Sequence, residues 1–233
     1  MAQLNSIFSI NRRGVVAGCR CNENQRAFSG LKVCQFRFSF QPPAHCGSGG
    51  ADVKLWLVRH AQPLIAPGIC YGATDVVADE AQTLQTAHVL AQVLPSGLLL
   101  ISSTLQRCEL LAQCLRGLRP DLSYRSDARL IEMDFGCWEG QRWDAIPQPD
   151  LDRWVADFGR HRFGGRESVQ AFMQRVAEAW DETRLGRQDT VWITHAGVIR
   201  AATLLARGVR QVTQASQWPQ EAPAFGQWCE VQG

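Results

Sequence analysis

Three short apolar runs in this sequence each lead into a residue that is, or can become, positively charged. The runs begin at Val53, Gly97 and Thr190. Runs of this length, rich in β-branched and aromatic residues, are typical of strands covered on both faces. Because stretches with helical spacing separate them, we predict a three-layer α/β/α domain with a mostly parallel, doubly wound sheet.

The charged residues follow the apolar runs at equivalent places. Arg59 and His60 come directly after the first run, Arg107 lies a few residues beyond the second, and His195 directly follows the third. The carboxyl ends of parallel strands meet at one edge of a sheet, where ligands bind. Guanidinium groups and helix N-termini both bind tetrahedral anions. The sequence therefore predicts a phosphoryl-binding site at this edge.

Local patterns predict where the helices begin and which faces they bury. The hydroxyl groups of residues 102–104 suit the N-cap of the second helix, and Gly117 suits its end. Residues 226–231 predict an antiparallel edge strand. The predicted apolar faces are Leu84, Ala87, Ala91 and Leu94 in the first helix, Leu105, Cys108, Leu111, Ala112 and Leu115 in the second, and Val169, Phe172, Val176 and Trp180 in a later one.

An acidic and aromatic loop lies between the second and third runs. It carries Glu132, Asp134 and Glu139 within residues 130–140. A carboxylate near two arginines can be a structural counter-ion or a proton donor. The spacing alone does not choose among the three acids.

Four motifs surround these residues in order along the chain. They are Leu57-Val58-Arg59-His60, Ser102-Ser103 with Arg107, Glu132 with Phe135-Gly136 and Trp138-Glu139-Gly140, and Thr194-His195-Ala196-Gly197. Together they resemble the histidine phosphatase superfamily, the phosphoglycerate-mutase-like family. The resemblance extends from Val53 nearly to the C-terminus, and four ordered motifs are far more specific than any one of them.

The resemblance implies a role for each of five residues. His60 would be the nucleophile that becomes phosphorylated, and Glu132 the proton donor. Arg59, Arg107 and His195 would bind the phosphoryl oxygens of a small phosphorylated metabolite. Fixed cations stabilise the charge that develops during phosphoryl transfer, so we expect neither a metal nor another cofactor.

The chain departs from the family pattern after His60. A Gly-Glu-Thr-like continuation is commoner there, whereas this chain has Ala61, Gln62 and Pro63. Alanine does not favour positive φ, so we expect ordinary backbone geometry at this turn. Gln62 or Thr74 is a candidate to replace the usual hydroxyl contact with substrate.

Three functions are compatible with these motifs. Residues 69–75 resemble a segment of α-ribazole phosphatases of cobalamin biosynthesis, which favours an α-ribazole 5′-phosphate phosphatase. The second possibility is a phosphoglycerate mutase or a broad sugar-phosphate phosphatase of the same superfamily. The third is a phosphate-binding regulatory module without turnover. The presence of both His60 and Glu132 argues against the third, since binding alone requires neither.

Composition divides the chain into residues 1–52 and a catalytic domain over residues 53–233. The first 51 residues contain six basic residues and a single acid, whereas acids slightly outnumber bases in the remainder. That balance argues against nucleic acid as the partner of the domain. We expect residues 1–52 to be disordered, or to be non-native upstream translation.

Cysteine spacing and hydropathy limit the compartment. The four cysteines of the N-terminal segment do not have zinc-ligand spacing, and the other five show no pairing pattern. No stretch approaches the length of a membrane span. We therefore expect a cytoplasmic protein without metal and without a membrane partner.

Overall fold

The computed structural model describes residues 53–232. The predictions for residues 1–52 lie outside this range. The described chain forms one sheet of five strands flanked by helices. The strands are β1 (Lys54–Arg59), β2 (Leu99–Ser102), β3 (Ser123–Ser126), β4 (Thr190–Thr194) and β5 (Trp228–Gln232). The α-helices are α1 (Glu80–Val93), α2 (Gln106–Leu118), α3 (Gln148–Ala156), α4 (Val169–Leu185) and α5 (Ala196–Ala206).

The sheet is mostly parallel, with strand order β3-β2-β4-β1-β5. Strand β4 lies at the centre and pairs in parallel with β1 and with β2. Strand β5 pairs antiparallel with β1 at one edge, which confirms the predicted edge strand. The three-layer, mostly parallel α/β architecture predicted from the sequence is confirmed.

Two apolar cores lie on opposite faces of the sheet, because successive strand side chains alternate between the faces. Leu55 and Leu57 belong to the core that α4 and α5 cover. Trp56 and Val58 belong to the core that α1 and α2 cover. Both cores leave the carboxyl ends of β1, β2 and β4 together at one edge, as anticipated.

Helix α2 begins differently from the prediction. Its N-cap is Leu105, which makes no side-chain capping bond, so the expected N-cap at residues 102–104 is wrong. The serine hydroxyls have other partners: Ser102 Oγ donates to the Ser103 carbonyl, and Ser103 Oγ bonds to His195. The predicted apolar face of α2 is buried, and the helix ends at Leu118, one residue beyond Gly117.

Helix α1 turns a partly different face to the core. The predicted Leu84 is 44% exposed, whereas Thr83 and Thr86 are buried beside Ala87 and Leu90. Thr83 is accommodated because its hydroxyl donates to the Asp79 carbonyl at 2.6 Å. A threonine whose hydroxyl is hydrogen-bonded within its own helix can be buried. A search for regularly spaced apolar residues therefore misses part of the buried face.

The later elements agree with their sequence patterns. Val169, Phe172, Val176 and Trp180 are all buried on α4, and Ser168 caps that helix. The aromatic residues between 135 and 163 pack on one another, with Trp154 and Phe163 stacked at 4.2 Å. No helix within residues 53–232 is long and apolar enough to cross a membrane.

Candidate active site

Backbone hydrogen bonds bring the ends of β1 and β2 onto the end of β4. The His60 amide donates to the Thr194 carbonyl at 3.1 Å, and the Ser103 amide donates to the Ile193 carbonyl at 2.9 Å. The residues that follow the three strands therefore start from one short stretch of sheet edge. The imidazole rings of His60 and His195 lie 5.1 Å apart, centre to centre.

His60 is buried and held in one tautomer. Its Nδ1 lies 2.7 Å from the Ala61 carbonyl oxygen, which can only accept, so Nδ1 carries the proton. The lone pair is therefore on Nε2. Burial holds the pKa of His60 well below its usual value, and the charges of Arg107 and Arg59 lower this pKa further. Hence His60 is neutral and presents a nucleophilic nitrogen.

His195 is also buried, and both of its ring nitrogens have protein partners. Arg107 Nε donates to Nδ1 at 3.2 Å, so the proton lies on Nε2, which is 2.8 Å from Ser103 Oγ. Burial and the Arg107 charge hold the pKa of His195 well below its usual value. The Cys108 thiol lies 3.5 Å from Nε2. A phosphoryl oxygen would have to replace Ser103 to receive the Nε2 proton.

Arg107 is completely buried and bonded on three sides. Besides its bond to His195, its Nη1 donates to the Thr74 carbonyl at 2.8 Å and its Nη2 to the Gly72 carbonyl at 2.6 Å. Each terminal nitrogen carries two protons, so one proton on each remains for an anion. The loop over residues 72–74 thus fixes the direction of the guanidinium group.

Glu139 holds that loop in place. Its carboxylate accepts from the amides of Ala73 and Phe135 at 2.9 and 3.0 Å, and from the amide and the hydroxyl of Thr74. Among the three candidate acids, Glu139 is thus the one that joins residues 72–74 to the acidic loop. The Thr74 hydroxyl is engaged with Glu139, while its carbonyl orients Arg107.

Gln62 lies farther from these groups in the bonding network. It is exposed, and its backbone N–H donates to the side-chain oxygen of Gln82 at 2.6 Å. Its carbonyl accepts from the Asp79 amide at 2.8 Å, which ties the turn to the start of α1. Arg187 is the single non-glycine residue with positive φ among the described residues, so the ordinary geometry predicted at Ala61 is confirmed.

The C-terminal segment before β5 completes the surroundings of Arg59. The Arg59 guanidinium stacks on the Phe225 ring at 3.8 Å, and its Nη1 donates to the Pro223 carbonyl at 3.0 Å. The Phe225 ring is also 5.5 Å from the His60 ring. The Gly226 amide donates to the carbonyls of Arg59 and His60. This segment keeps Arg59 beside His60.

Glu132 is held by the first turn of α5. Its Oε2 accepts from the Gly197 amide at 3.0 Å and its Oε1 from the Met133 amide at 3.1 Å. A side chain at residue 197 would place its Cβ 2.1 Å from Glu132 Oε1, so only glycine permits this approach. Carboxylates are favoured at helix N-termini. Glu132 is thus bonded directly to Gly197, which lies two residues after His195 in the chain.

Arg200 adds a further buried cation near Glu132. It lies on α5, and its Nη2 donates to the Gln220 carbonyl at 3.0 Å. Burial lowers the pKa of Arg200 to about 10, although the Glu132 charge opposes that shift. Phe225 and Arg200 were not singled out from the sequence, and Glu139 was only one of three candidate acids, because the contacts of each depend on chain segments that meet only in the folded protein.

The site therefore contains five of the predicted residues. The structure places His60, Arg59, Arg107 and His195 around the strand ends and Glu132 at the start of α5. It gives Thr74 a bond to Arg107 through its backbone, and it places Gln62 in an exposed turn. Within residues 53–232, no group of three or more His, Cys, Asp and Glu side chains is arranged to hold a metal ion.

Solved structures with this fold include several hydrolases. The chain is 25% identical to a mycobacterial glucosyl-3-phosphoglycerate phosphatase, with a TM-score of 0.61 over 77% of this chain and 89% of the other. It is 27% identical to a protein described as mycobacterial hydrolase 2, with a TM-score of 0.61 over 78% and 82%. A Thermus thermophilus protein is 31% identical, with a TM-score of 0.53 over 70% and 90%. No curated protein sequence matches the chain.

The fold and the arrangement of histidines and arginines define a phosphatase of the phosphoglycerate-mutase-like class. The model of the histidine phosphatase superfamily, branch 1, matches residues 55–223, and the chain belongs to this superfamily. The protein is therefore a phosphoric monoester hydrolase. The predicted superfamily is confirmed.

Gly197→Ala tests how closely Glu132 approaches α5. The added Cβ would overlap Glu132 Oε1, so the carboxyl must move, and we expect phosphatase turnover to fall at least about tenfold. The control is Gly117→Ala, since a Cβ at Gly117 meets nothing within 4 Å. Steady-state kinetics on both variants measure the effect. Equal turnover in the two variants would contradict the contact.

The buried histidines predict how stability depends on pH. The pKa of His60 lies well below 6.5 in the native state. As the pH falls below 6.5, His60 therefore binds a proton in the unfolded chain but not in the native protein, which favours unfolding. His60 therefore costs up to about 1.4 kcal/mol of stability per pH unit below 6.5. Urea unfolding at pH 7.5 and pH 5.5 should show a smaller loss in His60→Asn than in the unaltered protein. Exposed His88, changed to Gln, should leave the loss unaltered.

Proposed function

We propose that the protein hydrolyses phosphomonoesters through a phosphohistidine formed on His60. The observation that carries this proposal is the neutral His60 ring, whose Nδ1 proton is bound to the Ala61 carbonyl. That bond leaves the lone pair on Nε2, and the charges of Arg107 and Arg59 are close enough to lower the pKa of the ring. A nucleophile that is uncharged at neutral pH is ready to attack a phosphorus atom without prior loss of a proton.

The first step transfers the phosphoryl group to the enzyme. His60 Nε2 forms a bond to phosphorus while the bond from phosphorus to the ester oxygen breaks. The carboxyl group of Glu132 delivers a proton to the departing alkoxide, which leaves as an alcohol. Arg59 and Arg107 stabilise the charge on the phosphoryl oxygens, because each carries N–H groups directed from a fixed position.

The second step regenerates the enzyme. Glu132 takes a proton from a water molecule, which attacks phosphorus and displaces His60 Nε2, so phosphate leaves and His60 is again neutral. His195 carries its proton on Nε2 and can transfer that hydrogen bond from Ser103 to a phosphoryl oxygen. None of these steps requires a metal ion.

A phosphate-binding module without turnover is less compatible with this arrangement. Binding alone would favour a protonated histidine, whereas the surroundings of His60 keep it neutral. Binding also gives no use for a carboxylate held at the start of α5. A mutase shares the chemistry of the first step and differs in what accepts the phosphoryl group.

For the substrate, we propose α-ribazole 5′-phosphate, a small metabolite of cobalamin biosynthesis. The support is the resemblance of residues 69–75 to α-ribazole phosphatases, and these residues include Gly72 and Thr74, which orient Arg107. A sugar-phosphate ester is the second candidate, because the mycobacterial phosphatase with this fold is described as acting on glucosyl-3-phosphoglycerate. Gln62 and Thr74 stay proposed contacts with the substrate.

Trapping the phosphoenzyme tests the mechanism. Rapid quenching with substrate labelled on phosphorus should give protein-bound label that is labile in acid and stable in base, as expected for a phosphoramidate. His60→Ala should carry no label, because the only attacking nitrogen is removed, whereas His88→Ala should label normally. Label that persists in His60→Ala would assign the nucleophile to another residue.

A panel of phosphomonoesters tests the substrate. We expect the highest kcat/KM for α-ribazole 5′-phosphate among a set that includes glucosyl-3-phosphoglycerate, 3-phosphoglycerate and simple sugar phosphates. Activity should be unchanged in EDTA. Preference for a sugar phosphate would select the second candidate, transfer between phosphoglycerate positions would indicate a mutase, and loss of activity in EDTA would contradict the metal-free mechanism.

A further inference from the structure

One arginine of α4 binds the backbone on both sides of the Glu132 side chain. Arg175 Nη1 donates to the carbonyls of Arg129 and Ile131 at 2.7 and 2.8 Å. Its Nη2 donates to the Glu132 carbonyl at 3.1 Å. Three carbonyls within four residues thus converge on one guanidinium group, which is the arrangement expected where a chain segment must keep a fixed path.

Glu167 holds this arginine and binds the same segment itself. Its Oε1 and Oε2 accept from Arg175 Nε and Nη2 at 2.7 and 3.0 Å, a forked ion pair. Its Oε2 also accepts from the Asp134 amide at 3.1 Å. The pair therefore anchors the loop before and after Glu132.

Partial burial makes this pair more rigid than an ordinary surface ion pair. The side chains of Arg175 and Glu167 are 18% and 15% exposed. The guanidinium group also lies over the Phe172 ring at 4.6 Å. The guanidinium group makes five hydrogen bonds to four residues, and a lysine would lose them together, since an ammonium group cannot reproduce the planar fork.

The carboxyl group of Glu132 depends on this backbone path. Two amides hold its oxygens, and one of them, Met133, belongs to the same loop. A shift of the loop by a fraction of an ångström would change both bonds, and acid catalysis is sensitive to displacements of this size. A positioned proton donor contributes most to the departure of poor leaving groups.

We propose that Arg175 and Glu167 are positioning residues for Glu132, setting where its carboxyl group meets the leaving oxygen. This inference rests on the proposed role of Glu132 as proton donor. The hydrogen bonds of the pair join the two side chains to each other and to the backbone of residues 129–134, and the Arg175 charge also acts on His195. The contribution of the pair is therefore to the rate of leaving-group departure and not to the binding of phosphate.

The test compares two leaving groups. 4-Nitrophenolate departs with little help from a proton, whereas the alkoxide of an alkyl phosphate requires one. The ratio of kcat/KM for the alkyl ester to kcat/KM for the aryl ester reports proton donation, and both constants cover only steps up to phosphoryl transfer to His60. We expect Arg175→Met to lower this ratio at least about tenfold, within the range that acid catalysis contributes. Inhibition by inorganic phosphate should change less than about twofold.

Companion variants separate positioning from general damage. Arg175→Lys should resemble Arg175→Met, and Glu167→Gln should lower the ratio by a smaller factor; it also carries the test if Arg175→Met does not fold. The matched control is Arg210→Met. It breaks an exposed ion pair with Asp181, which lies on α4 as Arg175 does, and it should leave the ratio unchanged. Added to Glu132→Gln, Arg175→Met should lower the ratio no further, because the positioned group is already gone.

The outcomes distinguish this inference from the proposed function. If Glu132→Gln lowers the ratio but Arg175→Met lowers both kcat/KM values equally, or neither, the positioning role is overturned and the proposed mechanism stands. If Glu132→Gln leaves the ratio unchanged, its role as proton donor fails and the inference fails with it. The inference is supported if Glu132→Gln and Arg175→Met each lower the ratio and the double variant lowers it no further than Glu132→Gln alone.

Discussion

The hydrogen bond from Arg107 Nε to His195 Nδ1 joins the first turn of α2 to the residue that follows β4, and the geometry of the site depends on it. Because a guanidinium group only donates, this bond fixes the tautomer of His195 and places its proton on Nε2. It also brings a permanent charge beside two buried imidazoles. The carbonyls of Gly72 and Thr74 compensate the buried cation on its other side, so the arginine is held from both directions.

Burial and charge act in the same direction on the two histidines. Removal from water and the neighbouring arginines both disfavour imidazolium, so each lowers the pKa of His60 and of His195. The neutral state that results is unfavourable for anion binding by the rings alone, and favourable for attack on phosphorus. In the proposed mechanism, the arginines therefore supply the charge for the phosphoryl group, and the histidines supply a lone pair and an N–H group. This division of roles is what a phosphatase with a histidine nucleophile requires.

The sequence indicated the strand ends and their residues, and it failed where a role is set by distant segments. His60 and His195 could be predicted because each directly follows a strand, and parallel strands meet at one edge. Glu132 could not be separated from Asp134 and Glu139 by spacing. The structure distinguishes them by partners, since Glu132 binds the first turn of α5 whereas Glu139 binds the loop over residues 72–74. The expected N-cap at residues 102–104 was wrong because Ser103 bonds to His195.

The sequence by itself determined the fold class, the order of the elements and the residue types at the strand ends, because apolar periodicity records which faces are buried. Tertiary structure alone decided which nitrogen of His60 holds the lone pair, what orients Arg107 and what holds Glu132. Each of these depends on backbone carbonyls and amides, which every residue carries and which leave no mark in a sequence. Phe225 likewise reaches the site, and Glu167 and Arg175 reach the loop that carries Glu132, from segments far along the chain that only folding brings together.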